Sequence, residues 1–146
     1  MTNSIRKKGF TLIEILVVVA LIAILAAVTI VAINPAKNFG DTRNAQRSSD
    51  VATLLDAATQ YLATQGNTLS GLGAIPTCPT VTLIGTNTGL INWTTQLVPT
   101  YIVAIPIDPS VGTAGSTGYN VCTTASNRLQ VGAPNAENGK TISAQR

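Results

Sequence analysis

Glu14 is the residue whose position most directly suggests chemistry, because it is the only charged side chain in a long apolar stretch. From residue 15 to Ile33 every side chain except Thr29 is apolar, and no Lys, Arg or His lies between Phe10 and Ala36. A carboxylate within a membrane helix costs about 3 kcal/mol and normally has a partner. The matching cation must therefore come from another chain, or from an amine that is created by cutting this one.

The other reactive residue types are too few or too widely spaced to suggest catalysis. The chain has no histidine, which excludes a histidine-based catalytic triad and most zinc or iron sites. Cys78 and Cys122 lie too far apart for a recognisable metal motif, and the carboxylates are sparse. Gly71-Leu72-Gly73 lacks the strand and helix context of a phosphate-binding loop. We therefore predict no enzymatic activity, no cofactor and no metal site.

The apolar stretch is long enough to cross a membrane. A helix from Phe10 to Ile33 would extend about 36 Å, against about 30 Å for a hydrocarbon core. The three basic residues before it, Arg6, Lys7 and Lys8, would stay in the cytoplasm, with the rest of the chain outside. A cleaved secretory signal fits less well, because its apolar region is shorter and ends in a small-residue cleavage site.

The segment Lys8-Gly9-Phe10-Thr11-Leu12-Ile13-Glu14 resembles the class III signal of type IV pilins and of the pseudopilins of type II secretion. The resemblance implies that a prepilin peptidase cuts between Gly9 and Phe10 on the cytoplasmic side, and that the new amine of Phe10 is methylated. It also implies that Glu14 stays in the apolar helix as the assembly carboxylate. The missing cation is then the Phe10 amine of a neighbouring subunit.

The same resemblance implies an α+β, pilin-like fold with a long N-terminal helix packed on a small antiparallel sheet. Four regions follow: a cleaved leader (1–9), a transmembrane or filament-core helix (10–33), an amphipathic second half of the helix (34–66) and a β-rich extracytoplasmic region (67–146). The implied partners are other copies in a helical filament, other pilins, the prepilin peptidase, the inner-membrane assembly platform and the membrane. The chain would be a single-pass protein of the cytoplasmic membrane before assembly, and part of an extracytoplasmic or cell-surface pilus afterwards.

The net charge of +3 arises entirely from the leader. After Gly9 the chain has six basic and six acidic side chains, so the mature side chains are neutral overall. The basic isoelectric point is therefore no argument for a nucleic-acid partner.

The helix is predicted to continue beyond Ile33 with two weak points. Pro35 should kink or open it, and Gly40 disfavours a helix interior. Apolar or small residues then recur at spacings of three and four, and Gly66 is a plausible left-handed cap. The members of this stripe are Ala45, Ser48, Val51, Leu54, Leu55, Ala58, Tyr61 and Leu62. Arg43 and Arg47 are predicted to form a solvated face or a subunit contact.

From residue 67 the sequence favours short strands separated by turns. The predicted strands are Thr80–Ile84, Tyr101–Ile105, Gly118–Thr124 and Arg128–Gly132. A helical turn is predicted at Asn92–Leu97, and a polar, frayed end at Ala133–Arg146.

Cys78 and Cys122 fall in the region predicted to be outside the cell, where a disulfide is the first expectation. It would close a loop of about 45 residues and stabilise the fold by about 4 kcal/mol. Two buried free thiols are the alternative.

Three functions remain open from the sequence. The two cysteines favour a pilus subunit. The proline-bounded stretch from Leu97 to Pro109 resembles pseudopilins and some bacterial pilins, and it favours a pseudopilin. Asp108 is the only acid between Asp56 and Glu137, however, which disfavours the calcium loop of the major pseudopilin. A membrane-anchored binding module that never polymerises is the alternative from another class, and it would not be cut at Gly9.

Overall fold

The computed structural model describes residues 9–146, so the predicted leader lies outside the described residues except for Gly9. The chain divides into two compact units, one ending at Asn38 and one formed by Phe39–Arg146. The elements form an α+β arrangement, with a long apolar N-terminal helix and a small antiparallel sheet, as the sequence predicts.

The first unit contains the apolar helix α1, Leu12–Ile33. Thr11 caps its N-terminus in an extended conformation, and Asn34 ends it in the left-handed conformation with φ 44°. Helix α2, Pro35–Ala63, begins at the next residue. Proline suits a first helical position, where its missing N–H has no partner to lose. The side chain of Asn34 accepts from the N–H of Lys37 at 3.3 Å. The predicted interruption at Asn34-Pro35 is therefore present, and Asn34 both ends one helix and caps the next.

The second unit is built on the part of α2 that follows Asn38. Gly40 does not interrupt the helix, contrary to the prediction of a weak point there. The buried face begins at Gly40, continues with Asn44, Arg47 and Asp50, and becomes apolar at Val51. Ala45 and Ser48, which the sequence placed on the packed face, are exposed, because polar side chains occupy that face in this part of the helix. The helix ends at Ala63, before Gly66 with φ 89°.

Four strands form one antiparallel sheet in the order β1-β2-β3-β4. Their bounds are β1 Thr82–Leu83, β2 Asn120–Thr123, β3 Leu129–Ala133 and β4 Ile142–Gln145. Three lie where the sequence predicts strands. The predicted polar, frayed end is wrong, because β4 forms there and alternates half-buried and exposed side chains.

The predicted strand at Tyr101–Ile105 is also wrong. The N–H groups of Tyr101 and Ile102 both donate to the carbonyl of Leu97, at 2.8 and 3.2 Å, which closes a turn instead of a ladder. Tyr101, Ile102 and Ile105 still pack partly buried against the core. The apolar pattern in this stretch therefore reports packing rather than strand pairing.

The core of the second unit lies between the apolar face of α2 and the inner face of the sheet. Leu54, Trp93, Tyr119, Val121 and Val131 are fully enclosed in it. Trp93 precedes the short helix α3, Thr94–Leu97, which confirms the predicted helical turn. The indole N–H of Trp93 donates to the carbonyl of Leu72 at 3.1 Å, so its polar atom is satisfied inside the core.

Candidate functional site

The N-terminal candidate residues lie at the start of α1, where Phe10 is 85% exposed. The Glu14 carboxylate accepts from the Thr11 N–H at 2.7 Å and from the Thr11 hydroxyl at 2.8 Å. In return the Glu14 N–H donates to the Thr11 hydroxyl oxygen at 3.3 Å. This is a reciprocal capping box, which satisfies N–H groups that a helix start leaves without partners.

The capping box gives Glu14 a partner that the sequence reasoning missed. The apolar stretch contains no cation, but the spacing Thr11-Leu-Ile-Glu14 is a known capping signature. Thr11 supplies hydrogen bonds but no positive charge, and no ion pair among residues 9–146 includes Glu14. Within residues 9–146 the carboxylate of Glu14 is therefore oriented by Thr11, but its negative charge is not neutralised.

Helix α1 has no buried residue, although nearly all its side chains are apolar. By length and composition it could cross a membrane. Its one hydroxyl side chain after Glu14, Thr29, donates back to the carbonyls of Leu25 and Ala26 at 3.0 and 2.9 Å. Thr29 is thus compatible with apolar surroundings, since its polar hydrogen stays within the helix.

In the second unit the most concentrated polar chemistry surrounds Arg47, which is fully buried. Its Nε and Nη2 donate to the two oxygens of Asp108 at 2.7 and 3.1 Å, a bidentate pair. Nη2 also donates to the Ser110 hydroxyl at 2.6 Å. Nη1 donates to Glu137 at 2.9 Å and to the Asn44 side chain at 3.1 Å. All five N–H groups of the guanidinium therefore have acceptors.

This cluster corrects the prediction that Arg43 and Arg47 form a solvated face or a subunit contact. Arg43 is half-buried and pairs with Glu137, its Nε lying 2.6 Å from a carboxylate oxygen. Arg47 is enclosed between the loop that carries Asp108 and the turn that carries Glu137. No local signal in the sequence identifies this arrangement, because Asp108 and Glu137 lie 61 and 90 residues from Arg47 in the chain.

The surroundings hold both acidic partners ionised. Burial opposes ionisation of Asp108, but the Arg47 guanidinium and the N–H groups of Ser110 and Val111 outweigh it and lower the pKa to about 2. Hydrogen bonds from Arg43 and then Arg47 lower the pKa of Glu137 to about 2. The same partners raise the pKa of Arg47 despite its burial. The cluster is therefore charged throughout the neutral pH range.

A second buried polar contact lies one turn further along α2. The Tyr119 hydroxyl donates to Asp50 at 2.6 Å, and the Gln46 side chain donates to the other oxygen of Asp50 at 2.7 Å. Burial, followed by the bond to Asp50, raises the pKa of Tyr119. The hydroxyl is thus a donor to α2 rather than an acid, and it fixes the sheet to the helix.

Cys78 and Cys122 are joined by a disulfide bond across 44 residues of sequence. It attaches the segment before β1 to the middle of β2. Among residues 9–146 no group of three or more His, Cys, Asp or Glu residues could hold a metal ion. The carboxylate of Asp108, the single acid in its stretch, is occupied by Arg47 and its own loop.

One comparison with known proteins gives a match. Residues 5–30 match a family model described as the prokaryotic N-terminal methylation motif. This motif is the class III prepilin signal of type IV pilins and pseudopilins, so the chain carries that signal at its N-terminus. Curated proteins and solved structures give no match to the chain.

We expect Arg47 and Arg43 to differ sharply as contributors to stability. Arg47→Met leaves the Asp108 carboxylate buried without its cation, and should lower the free energy of unfolding by about 3–5 kcal/mol. Arg43→Met, a matched change one turn away on the half-exposed rim, should have a much smaller effect. Urea unfolding of the detergent-solubilised chain, followed by fluorescence of the single tryptophan, measures both. Equal losses would show that the buried cluster is not the stronger contact.

The lowered carboxyl pKa values also predict acid sensitivity. Between about pH 5 and pH 2 the unfolded chain binds more protons at Asp108 and Glu137 than the folded chain does. The free energy of unfolding should therefore be independent of these groups above about pH 5 and fall as the pH is lowered through that window. Glu137→Gln should flatten the slope, because it removes one of the two groups. An unchanged slope in that variant would contradict the assignment.

Proposed function

We propose that the protein is a structural subunit of a type IV pilus, cut between Gly9 and Phe10, methylated on Phe10 and assembled through α1. The observation that carries the proposal is α1 itself, a wholly exposed apolar helix that begins with the class III prepilin signal. Such a surface requires either lipid or other apolar helices around it. The membrane provides lipid before assembly. A filament whose core is a bundle of these helices provides apolar neighbours afterwards.

The implied pathway uses partners that act on the chain rather than substrates on which it acts. A prepilin peptidase removes residues 1–9, and an assembly platform in the inner membrane transfers the mature subunit from the bilayer to the filament. The chain is then first a single-pass membrane protein and later part of an extracytoplasmic pilus. The absence of histidine from the sequence, and the engagement of Asp108 by Arg47, support a structural rather than a catalytic role.

Glu14 supplies the register of the proposed assembly. Thr11 orients the carboxylate and accounts for part of its hydrogen bonding, but leaves its charge unmatched. The amine of Phe10 on a neighbouring subunit would match it. Buried charge pairs contribute little net stability and are best attested in selecting one arrangement over others. In this role the pair would fix the axial position of each added subunit.

A pseudopilin of type II secretion is the second candidate, favoured by the resemblance of the stretch from Leu97 to Pro109. The surroundings of Asp108 support the pilus instead. Both its carboxylate oxygens accept hydrogen bonds from Arg47, and one also accepts from Ser110 and Val111. A calcium loop would need this carboxylate together with several others. Here the carboxylate of Asp108 is occupied by the guanidinium of Arg47 instead.

A membrane-anchored module that does not polymerise accounts for the apolar helix alone. It gives no role to the charge of Glu14, which would remain in lipid with only the hydrogen bonds of Thr11. For that reason we prefer the filament subunit.

The comparison of two variants tests the role of Glu14. Glu14→Ala removes the carboxylate, and should leave cleavage intact while abolishing filaments or reducing them severely. Thr11→Val removes the capping hydroxyl but keeps the charge, and should allow filaments to form. Electron microscopy of surface filaments and immunoblots of processed subunit provide the two readouts. If both variants assembled equally poorly, the carboxylate would act only as a helix cap, and normal filaments from Glu14→Ala would exclude the proposed pairing.

A further inference from the structure

The turn between β3 and β4 lies against the first turns of α2 in the second unit. We call residues 134–141 of this turn the strap. Within it Asn138 and Gly139 both adopt left-handed backbone conformations, with φ 56° and 69°, and the Lys140 N–H donates to the Glu137 carbonyl at 3.1 Å. The strap is therefore a tight turn with a defined shape rather than a loose connection.

Polar contacts join the strap to α2. The Asn44 side chain donates to the Glu137 carbonyl at 2.8 Å and accepts from the Glu137 N–H at 2.9 Å, so it pairs with both backbone groups of one residue. The Glu137 carboxylate binds Arg43, and Lys140 lies 3.2 Å from Asp41.

Gly40 adds a close approach to these contacts. A Cβ at Gly40 would lie 2.9 Å from the Asn138 side-chain nitrogen and 3.2 Å from a Glu137 oxygen. The strap thus packs directly on the helix backbone at this position.

The part of α2 beneath the strap has no buried apolar side chain. Phe39 is 64% exposed, and the first buried apolar side chain of the helix is Val51. From Val51 onward the helix is held by the core, whereas residues 39–44 are held by hydrogen bonds and partly exposed ion pairs. Such pairs contribute modestly, and a few helical residues without packed side chains are marginal in water.

Arg47 separates the two regions. Its bidentate pair with Asp108 is fully buried on both sides, unlike the half-exposed pair of Arg43 with Glu137. If the strap leaves the helix, Arg47 keeps Asp108 and Ser110 as acceptors. The buried ion pair of Arg47 with Asp108 can therefore stop a local unfolding of α2 that starts at residue 39.

We propose that the strap is a releasable contact, which opens together with residues 39–46 of α2 while the core from Val51 onward stays folded. When it is closed, the compact unit begins at Phe39. When it is open, the unit begins near Arg47, and about eight further residues of α2 are free of the globular part. Release of the strap thereby lengthens the part of α2 that is free of the globular part, whether or not filaments form.

Hydrogen exchange measured by mass spectrometry on the detergent-solubilised full-length chain tests this proposal. Glu137→Ala removes the carboxylate contacts of the strap with Arg43 and Arg47. It should raise the exchange rate of amides in residues 39–46 by roughly tenfold or more, and leave amides of residues 51–62 and of β2 and β3 unchanged.

Asp56→Asn is the matched control. It also breaks an ion pair between α2 and the C-terminal part of the chain, that of Asp56 with Arg146, but this pair lies outside the strap. This variant should leave the exchange of residues 39–46 as it is in the wild type.

The wild-type chain provides a test that requires no variant. In low concentrations of urea, residues 39–46 should exchange through an opening with weak urea dependence, and the core through one with strong dependence. Unchanged exchange of residues 39–46 in Glu137→Ala would overturn the proposal. A parallel rise in the core amides, an equal effect of Asp56→Asn, or a single urea dependence for both regions would overturn it as well.

Discussion

An apolar helix with no buried residue is the constraint on which the remaining structure depends. Fifteen large aliphatic side chains of α1 are exposed. Burying one such side chain contributes about 1.5–3 kcal/mol, so the helix cannot remain in water as a monomer without a large cost. Lipid and a bundle of identical helices are two environments that remove this cost. Glu14, which is capped by Thr11 and has no ion pair among residues 9–146, favours the bundle in our proposal, because a second chain's amine would meet it there.

The second unit depends on a different interaction. Every N–H group of the buried Arg47 guanidinium donates a hydrogen bond to another protein group. Arg47 is placed by α2, and its acceptors come from α2 itself, from the loop before Gly118 and from the β3–β4 turn. Removing Asp108 would leave the buried charge of Arg47 without its enclosed counter-ion, which costs more than an ordinary contact yields. The cluster therefore selects one way of docking two irregular segments on the helix, where apolar packing alone would tolerate several.

The sequence predicts the parts of this protein in which the physical signal is local. The prepilin signal lies in seven consecutive residues, and the apolar length of α1, the interruption at Asn34-Pro35 and three of the four strands follow from short patterns. The errors occur where distant residues decide the structure. The position of Arg47 in the sequence is typical of a solvated residue. Its partners Asp108 and Glu137 are distant in the chain and lie next to it only in the folded structure.

The two errors in the β-rich region have the same origin. In sequence, residues 142–145 resemble a polar tail. Pairing with β3 places alternate side chains of this segment on a half-buried face. The stretch from Tyr101 to Ile105 has the apolar content of a strand, but its N–H groups are used in a turn. The capping role of Thr11 is the opposite case. Its signal, a Thr followed three residues later by a Glu, is local, but it concerns hydrogen bonding and says nothing of a charge partner.

Removal of the residues before Phe10 is the step that, in our proposal, makes α1 an assembly helix. The most direct test is the intact mass and N-terminal sequence of the protein purified from its own cells. We expect a chain that begins at Phe10 and carries one methyl group on its α-amine. A chain that retains Met1, or one that begins elsewhere than Phe10, would contradict the account, because the amine needed by Glu14 would not exist at that position.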